Sequence, residues 1–413
     1  MSLQQTTLWL YNLTLLPIIF FSVLFLLLTL LTMLLPKRKQ TFKPLKDFPF
    51  VSVQIPSYND PIAERCIKQC IDFDYPKDKY EIIIVDDSTH EETKKLLKSY
   101  ADAHPGFIKY IHRENREGFK PGALKNAMSQ TKGDIIVIFD ADWIPQKDFL
   151  KEVVKPFSDP KVAIVQTRQG IYNKDTNWIT RFAAYLLMTY HTIIMPLNNR
   201  INTVFFCGTA GAIRRSAFEE VGGWNTNSIT EDSELSVRIL AKGYKSVYLE
   251  LETPSEVPDT FESFIKQQMR WCYGNARVFF DNAKTILLQK GFSLKQRLMI
   301  LYITMGNSIA PFVIAMTFFG WAGWFLGDPA LFNIKDVVVF AVRFFITAGF
   351  LIMGIYTLVK HKLHHEIKYL VVTAFTVGLV LALANSIAFI KAVLNKKLHW
   401  FCTPKTANQA IIK

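Results

Sequence analysis

The sequence has little cysteine, a shortage of acids relative to bases, and none of the familiar glycine-rich phosphate loops. Five cysteines (Cys66, Cys70, Cys207, Cys272 and Cys402) occur in 413 residues, and none forms a CxxC pair. That argues against a disulfide framework or a zinc site and fits a reducing compartment. No GxGxxG follows a β-branched run and no GxxxxGK[ST] occurs, so dinucleotide and P-loop chemistry have no sequence support. There is no internal repeat and no low-complexity tract. Lys plus Arg number 48 against 35 for Asp plus Glu, a net charge of +13. An excess of that sign suits anionic headgroups, phosphorylated substrates or nucleic acid. Its distribution favours the first two. Lys37, Arg38, Lys39, Lys43 and Lys46 follow one apolar run, and Lys391, Lys396 and Lys397 follow another. Basic residues beside apolar spans mark cytoplasmic membrane edges, and a nucleic-acid partner is not expected.

Apolar residues, by contrast, are plentiful: half the chain is hydrophobic. Residues 8–35 form one apolar run, far longer than the roughly 7–15 residues of a signal-peptide core, with no small-residue cleavage site after it. It is expected to be a permanent transmembrane helix, with the N-terminus outside and residue 40 onward in the cytosol. Three more apolar runs lie near 298–326, 336–359 and 368–390. The expected blocks are an anchor over 1–36, a globular block over 45–295, a membrane block over 296–394 and a terminal segment over 395–413.

Within the globular block, short β-branched runs at 50–56, 81–87 and 134–142 alternate with helical patterns near 61–71, 90–103 and 121–130. Such alternation predicts an α/β fold with a mostly parallel sheet covered on both faces. Ligands in these folds bind beyond the carboxyl ends of the strands. All three runs end on carboxylates there: Asp60, Asp86 with Asp87, and Asp140 with Asp142.

Asp140 and Asp142 stand two apart, which puts both side chains on one face of an extended segment. Two carboxylates so placed repel unless a cation lies between them, and a hard divalent ion that also bridges a diphosphate meets that need. A solvated turn is the plainer alternative. The segment 228–240 places Thr230, Glu231 and Asp232 at a helix start, where they serve either as cap and dipole partners or as a general base. Lys120 and Lys125 stand beside two glycines in a segment suited equally to phosphate or to a solvated loop leading into a helix. Gln267, Arg270 and Trp271 fall at i, i+3 and i+4 of a helix over 259–283, hence on one face. A membrane edge accounts for the Trp and the Arg but not for the amide beside them.

In this order and spacing, the motifs around Asp60, Asp87, Asp140, Asp142, Asp232 and the QQMRW stretch of 267–271 resemble the processive, membrane-integrated family 2 glycosyltransferases. These are the cellulose, mannan, curdlan and hyaluronan synthases and their cellulose synthase-like relatives. The resemblance covers roughly residues 50–280. It implies a GT-A, Rossmann-like cytosolic domain set between one N-terminal and about three C-terminal transmembrane or interface segments. It further implies that Tyr58, Asp60 and Asp87 hold the nucleotide, with Lys120 near its phosphates. Asp142, with Asp140, would meet Mg²⁺ or Mn²⁺ and the sugar nucleotide, and Asp232 would be the catalytic base. Gln267 and Arg270 would contact the diphosphate and donor sugar. Trp271, with Cys207 and Thr209 of 205–215, would receive the acceptor. The aromatic run at 177–195 is similar to the family's interface helices, a buried helix being the alternative. Residues 399–407 look like the family's gating loop, from which Thr403 and Lys405 would reach the diphosphate; a polar tail is the alternative.

This expected gating loop conflicts with three full C-terminal crossings, which would strand residues 395–413 on the far side. One run must then be re-entrant or interfacial, and the first is suspect because Gly306, Asn307 and Pro311 interrupt it. The basic stretch at 360–368, with His361, His364 and His365, is expected to be a juxtamembrane patch rather than a metal site. Unlike large bacterial cellulose synthases, the sequence presents a single anchor and no regulatory domain, which weakens any expectation of cyclic-nucleotide control. The expected activity is metal-dependent, inverting hexosyl transfer from a UDP- or GDP-hexose to a growing β-linked polysaccharide, at the plasma membrane with the site facing the cytosol. The alternatives are a single transfer to a ceramide- or polyprenyl-type lipid, and a catalytically inert membrane scaffold.

Overall fold

The computed structural model describes residues 2–36, 40–327, 342 and 344–398. Helix α1 (Leu3–Leu34) opens the chain. Strands and helices then alternate through β1 (Val51–Ser57), α2 (Ala63–Ile71), β2 (Tyr80–Asp86), α3 (Glu91–Ala103), β3 (Ile108–His112), α4 (Phe119–Ala127) and β4 (Ile135–Ile138). The second half runs through α5 (Phe149–Val154), β5 (Val162–Ile171), α6 (Trp178–Thr189), α7 (Met195–Arg200), β6 (Gly211–Arg214), α8 (Arg215–Glu220), α9 (Glu231–Ala241) and β7 (Lys245–Ser255).

The seven strands form one sheet in the order β3-β2-β1-β4-β6-β5-β7. Only β6 runs against its neighbours, β4 and β5, so the sheet is mostly parallel, as expected. β1 is buried on both faces, so its alternate polar residues Ser52 and Gln54 are buried too and donate to Glu81 Oε1 at 2.6 Å and Thr131 Oγ1 at 2.8 Å. On one face Cys66, Ile67 and Cys70 of α2 pack with Phe139, Phe149 and Val153. On the other, Leu124 of α4 and Leu235 and Ile239 of α9 pack on Ile136 and Ile138. Each fully buried large side chain contributes about 1.5–3 kcal/mol. Cys66, Cys70, Cys207 and Cys272 are all free, in keeping with the expected lack of disulfides.

One expectation needs correction. β4 ends at Ile138, so Asp140 and Asp142 lie in the turn beyond it rather than in extended backbone. The aromatic run at 177–195 is largely buried and passes from α6 into a π-helical turn over Tyr190–Ile194.

After β7 come α10 (Phe261–Leu288), α11 (Leu294–Met305) and α12 (Ala310–Phe325), then α13 (Gly349–Lys360), α14 (Ile367–Phe375) and α15 (Val377–Val393). By length and composition, Leu3–Leu34 and the continuous stretch Leu294–Phe325 are long and apolar enough to cross a membrane. The bent pair α14 and α15, 46° apart, adds a third candidate if taken as one span. The first C-terminal run breaks at a 3-10 turn over Gly306–Ile309, as its glycine and proline predicted. Before the break, Ile300 packs with Phe205 and Val237 of the globular block. After it, α12 follows α1 as far as Gly323 beside Thr7.

The last run bears on the topological conflict. It begins where Glu366 accepts hydrogen bonds from Lys174 and Tyr185, both 2.6 Å, on the globular block. α15 then advances beside α10 in the same direction. Val377 joins the cluster of Phe264, Asn385 O accepts from Cys272 Sγ at 3.4 Å, and Ala392 O accepts from Arg277 at 3.1 Å. Both ends of this run therefore rest on the globular block.

Candidate active site

The carboxyl ends of the strands and one face of α10 enclose a cleft of about 220 Å³. Of the residues singled out in the sequence, Tyr58, Asp60, Asp87, Lys120, Asp140, Asp142, Cys207, Thr209, Asp232, Gln267, Arg270 and Trp271 all line it. Lys125 does not; it is exposed on α4. Thr403 and Lys405, like the rest of 399–407, lie outside the described residues. Leu398, the last described residue, packs on the same cluster of α10 and α15 as Ile229, which lines the cleft.

The neighbouring acids of β2 divide sharply. Asp86 is fully buried and accepts from Tyr110 Oη at 2.7 Å and from the Ser88 amide at 3.0 Å, a structural role. Asp87 faces the cleft and is gripped by the Arg113 fork, Nε to Oδ1 at 2.7 Å and Nη2 to Oδ2 at 2.5 Å. Across from it the Arg116 guanidinium lies 3.2 Å from the ring centre of Tyr58. Asp60 Oδ1 accepts from the Ile62 amide at 3.3 Å, which fixes the loop after β1.

Lys120 sits at the middle of the cleft. Its ammonium donates to Asp140 Oδ1 at 2.5 Å and to Gly208 O at 3.0 Å. Burial acts against that charge, but Asp140 and then Glu231 outweigh it, so the pKa of Lys120 is raised. The Asp140 amide donates to Thr209 Oγ1 at 2.9 Å, tying the β4 turn to the 205–215 segment. Cys207 donates its amide to Gln166 Oε1 at 2.8 Å, and burial pushes its thiol up, so it is present as neutral SH.

Glu231 and Asp232 begin α9 with their side chains turned inward. Burial, and then the charge of Asp232, raises Glu231 to about 7, while Lys120 opposes the shift. Burial likewise raises Asp232, against the Ser233 amide, Lys120 and Arg270. Two buried carboxyls side by side titrate as a pair, one proton being held toward neutral pH. Capping does not explain the segment. Thr230 occupies the N-cap position but makes no side-chain cap bond, and its hydroxyl has no hydrogen-bond partner among the described residues. It packs instead on Gly274 of α10, where an added Cβ would come within 2.3 Å of Thr230. Gly208 is similarly constrained: its φ is +80°, and a Cβ there would lie 2.9 Å from Asp232 Oδ2.

Asp142 is 1% exposed, and its Oδ2 accepts from the Glu256 amide at 3.0 Å. Among the described residues, no group of three or more His, Cys, Asp or Glu is arranged to enclose a metal. Asp140 and Asp142 nevertheless offer hard oxygen ligands on the cleft wall. One or two carboxylates completed by substrate phosphates is how magnesium-like ions are commonly held, so the donor set fits such an ion.

Sequence reading missed Arg113, Arg116, Glu231 as a partner of Asp232, and Glu256. Arg113 and Arg116 lie in a charged stretch, 113–117, that reads as a solvated loop. Glu256 follows β7, whose strand character was not recognised. No local pattern signals either role.

A family described as "Glycosyltransferase like family 2" matches residues 49–274. Glucomannan 4-beta-mannosyltransferase 9 of Arabidopsis thaliana is 35% identical over 286 residues, 65% of this chain and 54% of that one. The probable glucomannan 4-beta-mannosyltransferase 7 of Oryza sativa subsp. japonica is also 35% identical over 286 residues, 66% of this chain and 48% of its own. The chain thus spans about half the length of the curated relatives it matches. In three dimensions it is similar to the mannosyltransferase PcManGT from Pyrobaculum calidifontis, in complex with GDP-Man and Mn²⁺. The TM-score is 0.68 at 19% identity, over 94% of this chain and 99% of that one, a likeness of fold.

Proposed function

The chain belongs to the glycosyltransferase-like family 2, and from that premise we propose that it transfers a mannosyl group from GDP-mannose to a growing β-linked polysaccharide, with inversion. The observation that carries this reading is the buried pair Glu231 and Asp232 facing Lys120 and Asp140 across one cleft. The names of the relatives, and the GDP-Man and Mn²⁺ bound by PcManGT, support mannose and guanosine over the other hexoses and uridine.

In this reading Asp232 accepts the proton of the acceptor hydroxyl as that oxygen attacks the anomeric carbon from the face away from the diphosphate. Glu231 is the buried acid beside this base, and burial with the Asp232 charge raises it to about 7. Tyr58, Asp60 and Asp87 hold the nucleoside, and the Arg113 fork keeps the Asp87 carboxylate fixed as an acceptor for base N–H groups. Lys120, Gln267 and Arg270 face the diphosphate, where positive charge fixed in a buried site stabilises the leaving group. Asp140 and Asp142 would hold Mn²⁺ or Mg²⁺, which when bound supplies Lewis-acid charge to the departing diphosphate. Trp271 offers a flat apolar platform to the acceptor sugar, with Cys207 and Thr209 beside it. Thr403 and Lys405 would close over the diphosphate from the terminal segment, a reading favoured by Leu398 lying at the cleft-side cluster.

The block 45–295 would be cytosolic in a multi-pass protein of the plasma membrane. The candidate passages are α1, the stretch Leu294–Phe325 and, taken as one span, the bent pair α14 and α15. The purified protein, given labelled GDP-mannose, GDP-glucose, UDP-glucose and UDP-N-acetylglucosamine with Mn²⁺ or Mg²⁺, tests the proposal. A ladder of mannosyl products supports it. A single glycolipid product, a different preferred donor, or no donor consumption overturns it.

A further inference from the structure

A closed circuit of hydrogen bonds lies behind Asp142, contributed by four separate elements. Arg65 of α2 donates through Nη2 to the backbone oxygen of Asp142 at 3.0 Å and to the Tyr172 hydroxyl at 2.7 Å. Tyr172, just past β5, donates in turn to Glu256 Oε1. The Glu256 amide returns to Asp142 Oδ2 at 3.0 Å and closes the ring. Its members sit 77, 107, 84 and 114 residues apart along the chain, so the ring exists only in the folded protein. The Arg65 guanidinium also lies 4.9 Å from the centre of the Tyr172 ring, which holds both planes in place.

Glu256 is 4% exposed and lines the cleft beside Asp142, so two acids are buried at the same wall. Burial, and then the bond to Glu256, raises the pKa of Tyr172, keeping its hydroxyl a donor across the ordinary pH range. The next residue is clamped as well: Asn173 Nδ2 donates to Val257 O at 2.8 Å, and its Oδ1 accepts from the Val257 amide at 2.9 Å. The Glu256 carboxyl and the Asp142 carboxyl therefore have one fixed relation to each other. A carboxylate that must bind a hard cation gains from being fixed in this way, because the cation then spends nothing on ordering its ligand.

We propose that Arg65, Tyr172 and Glu256 are positioning residues that orient Asp142 for its divalent cation and so set the cation affinity of the cleft. The proposal rests on the reading of Asp142 as a cation ligand. It concerns orientation, and transfer at saturating cation is expected to survive loss of the ring. Breaking outer contacts of a metal site costs about 10–100-fold in metal affinity.

The test is Mn²⁺ binding to the purified full chain with GDP present, followed by electron paramagnetic resonance, beside Mn²⁺ activation of transfer. In Tyr172→Phe the Mn²⁺ dissociation constant and the Mn²⁺ activation constant should both rise about tenfold. kcat at saturating Mn²⁺ should remain within about threefold of the parent, and the melting temperature should be unchanged. Glu256→Gln, which retains the amide bond to Asp142, should weaken Mn²⁺ binding in the same direction and serves if the first variant misfolds. Unchanged Mn²⁺ binding in either folded variant overturns the relay. Asp142→Asn separates the two levels: if it leaves Mn²⁺ binding intact, the underlying cation reading fails; if it abolishes binding while Tyr172→Phe does not alter it, the relay alone fails.

Discussion

The two ends of the central sheet each carry a cleft, and their linings differ in kind. At the amino end, a cavity of about 490 Å³ is lined by Asp47, Asp134, Arg214, Arg215 and Glu219. Its charges are already committed. Arg214 donates to the carbonyls of Val162, Phe157 and Asp159 between 2.8 and 3.1 Å, and Arg215 to Thr131 O and Glu219. At the carboxyl end, the cleft sets buried Glu231 beside half-buried Asp232, with Lys120 near both. Acids raised by burial in a cleft are a common mark of a functional site. The same fold thus commits arginines to backbone carbonyls at one end and gathers raised carboxyls at the other.

The sharpest way to break the contrast is to remove the base. Asp232→Asn should lower transfer by about a thousandfold or more while leaving GDP binding within about threefold, a base lost from a preorganised site being worth at least about 10²–10⁴ in rate. Turnover near the parental rate would return Asp232 to the status of a helix-start acid. Gly208→Ala should come next, with a fall of about 10–100-fold in kcat, because the new methyl meets Asp232 Oδ2 and the residue must keep φ at +80°. A parental kcat in a protein of normal melting temperature would show that the 205–215 turn has slack.

A subtler effect concerns pH. With the pair sharing a proton toward neutrality, the rate should fall as pH drops through about 7. Glu231→Gln removes one negative neighbour, so Asp232 ionises more easily and the acid limb of the kcat/KM profile should move to lower pH. An unmoved limb would assign it to another group. The sign for stability is the reverse. Glu231 has a raised pKa in the folded state, so its contribution favours the fold below the unfolded value near 4.5 and is lost as pH rises toward about 7. The smallest expected change lies at the other end of the sheet: Glu219→Gln should leave transfer within about twofold, as an exposed pair contributes little.

How much of this was legible in the sequence follows from where each residue's partner lies. β2 was readable because it is buried on both faces and mostly apolar, and β1 because Val51, Val53 and Ile55 form a β-branched set. β3 was not, because it is an edge strand with only Ile108 fully buried. β5 hides behind Gln166 and Thr167, polar residues whose needs are met by carbonyls of Thr209 and Ala210, over 40 residues ahead. β7 alternates between buried and exposed positions and carries charges on its outward side. The strand-end acids and the face of α10 could be located by spacing alone, since each belongs to a local pattern. Arg113 and Glu256 could not, since their significance arises from Asp87 and Asp142, 26 and 114 residues away. The membrane topology stayed open in the sequence for a similar reason. Hydropathy reports that 368–390 is apolar, but not that α15 sets Ala388 and Ala392 against α10 while most of its larger apolar side chains face away.

Gly274 has a consequence beyond clearance. Because Thr230 rests on its bare backbone, the helix bearing Gln267, Arg270 and Trp271 and the turn bearing Asp232 touch without any intervening side chain to yield. The opposite flank of the same helix is bonded to α15 through Cys272 and Arg277. The wall of the cleft that α10 supplies is therefore packed directly onto an apolar helix on one side and onto the start of α9 on the other.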